Sequence, residues 1–152
     1  MDDMTKQKIL GLLDDHRIMT IATLRPDGWP QATTVGYVHE GLTLYFLCGR
    51  DSQKAANLAR DDRVSLTIDD DTDQLMEITG LSMAAHAKPV ADMAKAEEIL
   101  RKLIQQYAGD SSYTGPMPNV AELAIYRIEP TVVSVLDYSK GFAHTDLVSV
   151  AG

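Results

Sequence analysis

A single cysteine, Cys48, stands in 152 residues, so no disulfide can form within one chain. That thiol economy fits a reducing cytoplasm, and at the end of an apolar run Cys48 reads as a small buried hydrophobe. Basic residues are scarce: 14 Lys and Arg face 22 Asp and Glu, a formal net charge of −8. Such a balance excludes wrapping of nucleic acid and general attraction to anionic membranes. No apolar run reaches the length of a membrane-spanning helix, and MDDMTKQK carries acids where a secretory leader needs bases. Metal and nucleophile signatures are also missing. There is no Cys pair, no H-E-x-x-H and no evident Ser–His–Asp set, while DDDTDQ (69–74) lacks the glycine and terminal glutamate of a calcium loop. No metal site is expected, and no side chain offers itself as a general acid or nucleophile. Any redox chemistry would come from a bound group.

What remains is ordinary globular material, 45% hydrophobic and 24% charged, long enough for one domain over 1–152 with peripheral tails at 1–4 and 139–152. Residues 5–15 place Ile9, Leu10, Leu12 and Leu13 on one helical side, with His16 beyond them as a partner for the helix dipole. Strands follow at 17–24 and 29–38, joined by the turn RPDG, and at 42–48 after HEG. Three antiparallel strands in a row begin a meander, not a βαβ unit. Further strands are expected at 63–68, at 75–90 with a bend or bulge at Gly80, and at 122–128 and 131–138, divided by Glu129-Pro130. His86 sits mid-strand, where a packed or cross-strand histidine is expected. Asp92 caps a helix to Tyr107 with the stripe Ile99, Leu100, Leu103 and Ile104, and 109–119 (GDSSYTGPMPN) reads as a long loop able to act as a lid.

The stretch Leu42 to Ile68 organises the rest. It reads as strand, turn, short helix and strand: LTLYFLC, GRDS, QKAANLAR, then RVSLTI. Asp51 and Ser52 are N-cap residues, which puts Ser52, Gln53 and Lys54 in or beside the first helical turn. Free backbone N–H groups, the positive end of the dipole, a hydroxyl and an ammonium then converge, the donor set of a phosphate site. Arg50 would add to the local positive charge.

This stretch resembles the FMN-binding split-barrel family that includes pyridoxamine 5'-phosphate oxidase, in which a strand ends in S-x-K, the helix reads K-x-x-N-L and D/N-x-R-V opens the next strand. The matching residues are Ser52, Lys54, Asn57, Leu58, Asp62, Arg63 and Val64, and the likeness extends over most of 5–138. The resemblance implies a mostly β fold, a six-stranded antiparallel split barrel with flanking helices. It also implies a homodimer holding FMN in a groove at the subunit interface. Ser52, Gln53 and Lys54 would anchor the phosphate, and Thr33, Thr34, Leu47 and Cys48 would flank the ring and ribityl chain. The function implied is an FMN-dependent oxidoreductase acting on a small molecule. The alternatives are a reductase using the deazaflavin coenzyme and a non-catalytic flavin- or haem-binding protein, for which His86 and His144 are the candidate haem ligands. Three departures from the oxidase pattern stand out. ATTVGY (32–37) is neutral where the oxidase carries Arg and Lys. Leu75 stands at the position of a flavin-contacting glutamine, with Gln74 beside it, which leaves that contact open. KGFAH (140–144) does not reproduce the R-x-H-x-R motif that holds the substrate phosphate, so pyridoxamine 5'-phosphate oxidase activity is not expected.

Overall fold

The computed structural model describes residues 1–107 and 119–150. The expected lid loop falls almost wholly on 108–118 and so lies outside the described residues. Helix α1 (Asp3–Asp15) starts where Asp2 accepts the Thr5 N–H at 2.7 Å, and it buries Ile9 and Leu13, one turn apart. Lys8, on the same helix, forms an ion pair with Asp137 at the far end of the sheet. The lysine hydrogen bond, helped by one from Ser139, holds the Asp137 carboxyl at about 2 against an ordinary 3.8. A carboxyl depressed in the folded state stabilises fully above its unfolded value, and that contribution fades as pH falls from about 4 towards 2. Lys8→Met is therefore expected to cost about 1 kcal/mol near neutrality, a figure reduced for the partial exposure of both groups. Denaturation curves should show the difference shrinking through about pH 2 and gone by about pH 1, below both values; one that persists there would have another source.

Among the described residues, eight strands, numbered in chain order, make one antiparallel sheet in the order β2-β1-β5-β6-β7-β4-β3, with β8 on β7. Six are long: β1 (Ile18–Leu24), β2 (Pro30–Gly36), β4 (Thr43–Gly49), β5 (Arg63–Asp69), β6 (Thr79–Pro89) and β7 (Leu123–Asp137). These are the strands of the expected split barrel, whose open seam falls where β2 returns against β4. Two short strands add to the expected count. The stretch read as one strand over 29–38 breaks at Tyr37, whose hydroxyl donates to the Leu13 carbonyl at 2.7 Å, leaving β3 (Val38–Glu40) separate. The stretch read as a tail contributes β8 (Thr145–Ser149).

Three local expectations differ. The two last strands fuse into β7, because the ladder shifts register there: Pro130 pairs with Ala85, Val132 with Ala84, and Thr131 between them is the extra residue of a bulge, a position where a strand tolerates proline. That shift, not Gly80, is the irregularity in β6. Gly80 is instead a close approach: a Cβ there would stand 2.7 Å from the Ile68 carbonyl oxygen. Residues 75–77, read as strand, form a 3₁₀ turn before β6 begins.

The main core lies inside the barrel, with Ile21, Leu44, Phe46, Leu66, Ile68, Leu81 and Met83 all essentially inaccessible. Helix α2 (Gln53–Arg60) packs between β1 and β4 and adds Ala55 and Leu58 to it. Helix α3 (Met93–Gln105) covers a second cluster of Val38, Tyr45, Ile99, Leu100, Leu103 and Ile125.

Candidate functional site

Strand register decides which of the expected residues can meet. Residues directly opposite in an antiparallel pair point to the same face. Ile21 faces Thr33 and Thr23 faces Gln31, and Ile21 and Thr23 are buried on the barrel side. Gln31 and Thr33 therefore point inward, towards α2. Thr34 lies opposite Thr20 on the exposed face, so the two threonines expected together are separated by the sheet. The same alternation divides β4: Cys48 belongs to the barrel core with Phe46, whereas Leu47 packs with Tyr45 beneath α3.

At the start of α2, Ser52 behaves as a cap. Its Oγ accepts the Ala55 N–H at 3.2 Å and its carbonyl accepts the Ala56 N–H at 3.1 Å. The amides of Gln53 and Lys54 precede these bonds and have no partner inside the helix. Lys54 is half-buried, and among the described residues nothing forms an ion pair or side-chain hydrogen bond with it. Arg50, expected to reinforce this charge, is committed elsewhere: its guanidinium donates to the Leu123 carbonyl at 3.1 Å.

Behind the first turn lies a network centred on Asn57, which is fully buried. Its Nδ2 donates to Thr23 Oγ1 at 3.0 Å and to Gln31 Oε1 at 3.2 Å, and its Oδ1 accepts from Gln53 Nε2 at 2.8 Å. One side chain thus ties α2 to β1, to β2 and to its own first residue. Gln31 and Gln53, with Arg25, Pro26 and Asp27, line a cleft of about 470 Å³. Arg25 and Asp27 pair within it at 2.7 Å. Two residues along β2 from Gln31, Thr33 Oγ1 is buried with no hydrogen-bond partner among the described residues. An orphaned hydroxyl, two free amides and an unpaired ammonium are the donors that a phosphomonoester with a polyol tail requires, so these residues fit a flavin mononucleotide.

The opposite face of the sheet is built from small side chains: Ala32 and Thr34 of β2, Thr20 and Ala22 of β1, Ser65 and Thr67 of β5. A shallow cleft of about 350 Å³ runs over it, flanked by Leu24, Pro30, Arg63 and His86. His86 is indeed cross-strand, opposite Arg63, with Nδ1 at 2.7 Å from Asp62. All four histidines lie against aspartates: His16 at 3.1 Å from Asp70, His39 at 2.6 Å from Asp14, and His144 at 3.2 Å from Asp146 complete the set.

Sequence reasoning missed Gln31 and undervalued Asn57. The signal for Asn57 was present: a polar side chain between Ala55 and Leu58 falls on the buried stripe of α2, where it must be hydrogen-bonded to be tolerated. For Gln31 nothing in the strand pattern distinguished it.

Residues 5–137 match the family model described as pyridoxamine 5'-phosphate oxidase. General stress protein 26 of Bacillus subtilis is 25% identical over 100 residues, 63% of this chain and 71% of that protein. A solved conserved hypothetical protein of Mycobacterium tuberculosis superposes with a TM-score of 0.75 at 26% identity, covering 100% of this chain and 93% of the other. A solved F420 reductase superposes with a TM-score of 0.66, also at 26% identity, over 82% of this chain and 94% of that one. With the barrel topology, the S-x-K turn and the family match in agreement, this chain belongs to the pyridoxamine 5'-phosphate oxidase-like family of FMN-binding split barrels.

Proposed function

We propose that the protein is an FMN-dependent oxidoreductase that reduces a small molecule, with electrons from a reduced nicotinamide or a comparable donor. The observation that carries this reading is the start of α2, where the Lys54 ammonium and the free amides of Gln53 and Lys54 meet behind the Ser52 cap; the orphaned Thr33 hydroxyl on the inward face of β2 supports it. Bound FMN supplies the hydride chemistry, which no side chain of the chain could supply itself. The protein's part is to bind and orient. Lys54 and the two amides neutralise the phosphate, Ser52 holds the turn that presents them, and Thr33 offers a hydrogen bond to the polyol. Cys48 is buried in the same cluster as Ala55 and Leu58 of α2. Thr34 and Leu47, on the other faces of their strands, would touch a flavin only across a subunit boundary.

That boundary is part of the proposal. A broad face of Ala, Ser and Thr with no charged residue among its central positions suits close approach of a second copy. Two subunits meeting there would bring the ends of β1 and β2 of each to the other, and the flavin groove would be completed by the partner. Sedimentation at micromolar concentration is expected to give roughly twice the 16.7 kDa chain mass. A stable monomer that still binds flavin tightly would overturn the shared-groove arrangement.

The resemblance to F420 reductase supports a second reading, in which the same turn holds the phosphate of the deazaflavin coenzyme. The haem reading has less support: His16, His39 and His144 meet their aspartates through Nε2, and among the described residues His86 alone, paired through Nδ1, keeps Nε2 free. The absorption spectrum of the purified protein separates the three. Flavin bands with releasable fluorescence support the first, a deazaflavin spectrum the second, and a Soret band the third. Pyridoxamine 5'-phosphate oxidation is not proposed, because KGFAH lacks the two arginines that would hold that substrate's phosphate.

A further inference from the structure

We infer that Asn57 is a positioning residue that sets the hydrogen-bonding polarity of the cleft beside α2, so that the cleft recognises hydroxyl groups adjacent to a bound phosphate. The inference rests on the flavin reading of the site and adds to it a residue that touches no ligand. The side-chain amide of Asn57 has two N–H donors and one carbonyl acceptor. Both donors are used, on Thr23 Oγ1 and on Gln31 Oε1, and the acceptor takes the Gln53 Nε2 hydrogen. Asn57 is fully buried, so water cannot satisfy these groups in place of the protein.

Two consequences follow for the cleft. Gln31 is held by its oxygen, which leaves its NH₂ group as a donor. Gln53 is held by its nitrogen, which leaves its carbonyl oxygen as an acceptor. Both residues line the cleft. One donor and one acceptor side by side suit neutral groups that can do both, and a hydroxyl is the simplest of these. A carboxylate would meet the Gln53 oxygen and an ammonium the Gln31 nitrogen, and the two charged groups of the cleft, Arg25 and Asp27, neutralise each other at 2.7 Å. The charge that Lys54 offers thus serves the phosphate, and the glutamine pair serves the polyol beside it.

Two experiments test this, one without ligand. Side-chain amide hydrogen exchange of the ligand-free protein is expected to show Gln53 protected and Gln31 exchanging freely, with Asn57 protected. Asn57→Asp keeps the shape but can only accept, so the Gln31 amide must turn its NH₂ inward and become protected as well. Asn57→Leu should release both glutamines. Titration with FMN, riboflavin and lumiflavin (the ring without its polyol) supplies the second readout. Asn57→Asp is expected to weaken FMN and riboflavin by a similar factor, about tenfold each, and to leave lumiflavin unchanged. Should either Asn57 variant fail to fold, Gln31→Leu and Gln53→Leu, which spare the buried amide, should reproduce the same selective loss. A role confined to stability would weaken all three ligands together or none. Protection of Gln31 rather than Gln53 in the wild type, or equal riboflavin affinity across the variants, would overturn the inference alone. A wild type that binds none of the three flavins would overturn the reading of the site on which it rests.

Discussion

Lys54→Ala is expected to weaken FMN binding by about ten- to a hundred-fold and to leave riboflavin binding almost unchanged. A hydrogen bond to a charged group contributes roughly 1.5–3 kcal/mol, and each 1.4 kcal/mol is a factor of about ten in affinity. Lys54 is half-buried at the first turn of α2 and has no ion-pair partner among the described residues, so its charge is free for a ligand. Riboflavin carries the same ring and polyol without the phosphate, which makes it the internal control. The FMN penalty should also shrink as salt rises, because part of it is Coulombic and the site opens to solvent. If Lys54 were only a solvated neighbour of the Ser52 cap, its removal would shift stability by no more than about 0.5 kcal/mol and affect neither ligand.

Phe46→Ala is expected to lower folding stability by about 3–5 kcal/mol, the usual cost of removing a buried aromatic side chain. Phe46 is completely inaccessible on β4 and stacks on Tyr126 of β7 with ring centroids 5.4 Å apart. The cavity left behind would sit inside the barrel among close-packed core residues, on a strand held to β7 by its ladder, so little collapse can fill it. Since domains of this size have about 5–15 kcal/mol in all, the variant should unfold at a much lower denaturant midpoint or fail to accumulate. Val132→Ala, at a half-exposed position on the neighbouring strand, serves as the comparison. Similar losses for the two would place the core elsewhere.

The elements of the fold were legible because they rest on local chemistry. Strand patterns marked β1 and β5, a run of aromatic, β-branched and leucine residues marked β4, the Ser52 and Asp92 caps marked α2 and α3, and the RPDG turn marked the first hairpin, where Gly28 adopts a positive φ of 82°. What failed was set by partners distant in the chain. Pro130 reads as a strand breaker until its neighbour in β6 is known to shift register there, and Gly80 reads as a bend until the Ile68 carbonyl is found against it. The site was legible in outline for the same reason. Ser52, Gln53 and Lys54 are adjacent in sequence and share one helix start. Thr33 with Thr34, and Leu47 with Cys48, are also adjacent in sequence, but consecutive strand residues face opposite ways, so adjacency argued against either pair facing one ligand from a single subunit. Gln31 was invisible because its significance comes from Asn57, 26 residues further on.

This chain is expected to bind a flavin through its phosphate at the start of α2. Calorimetric titration of the wild-type protein with FMN and with riboflavin, at one ionic strength, separates that arrangement from an ordinary helix cap. The prediction is one FMN per subunit, bound at least tenfold more tightly than riboflavin. Equal affinity for the two, or no saturable binding of either, would contradict it.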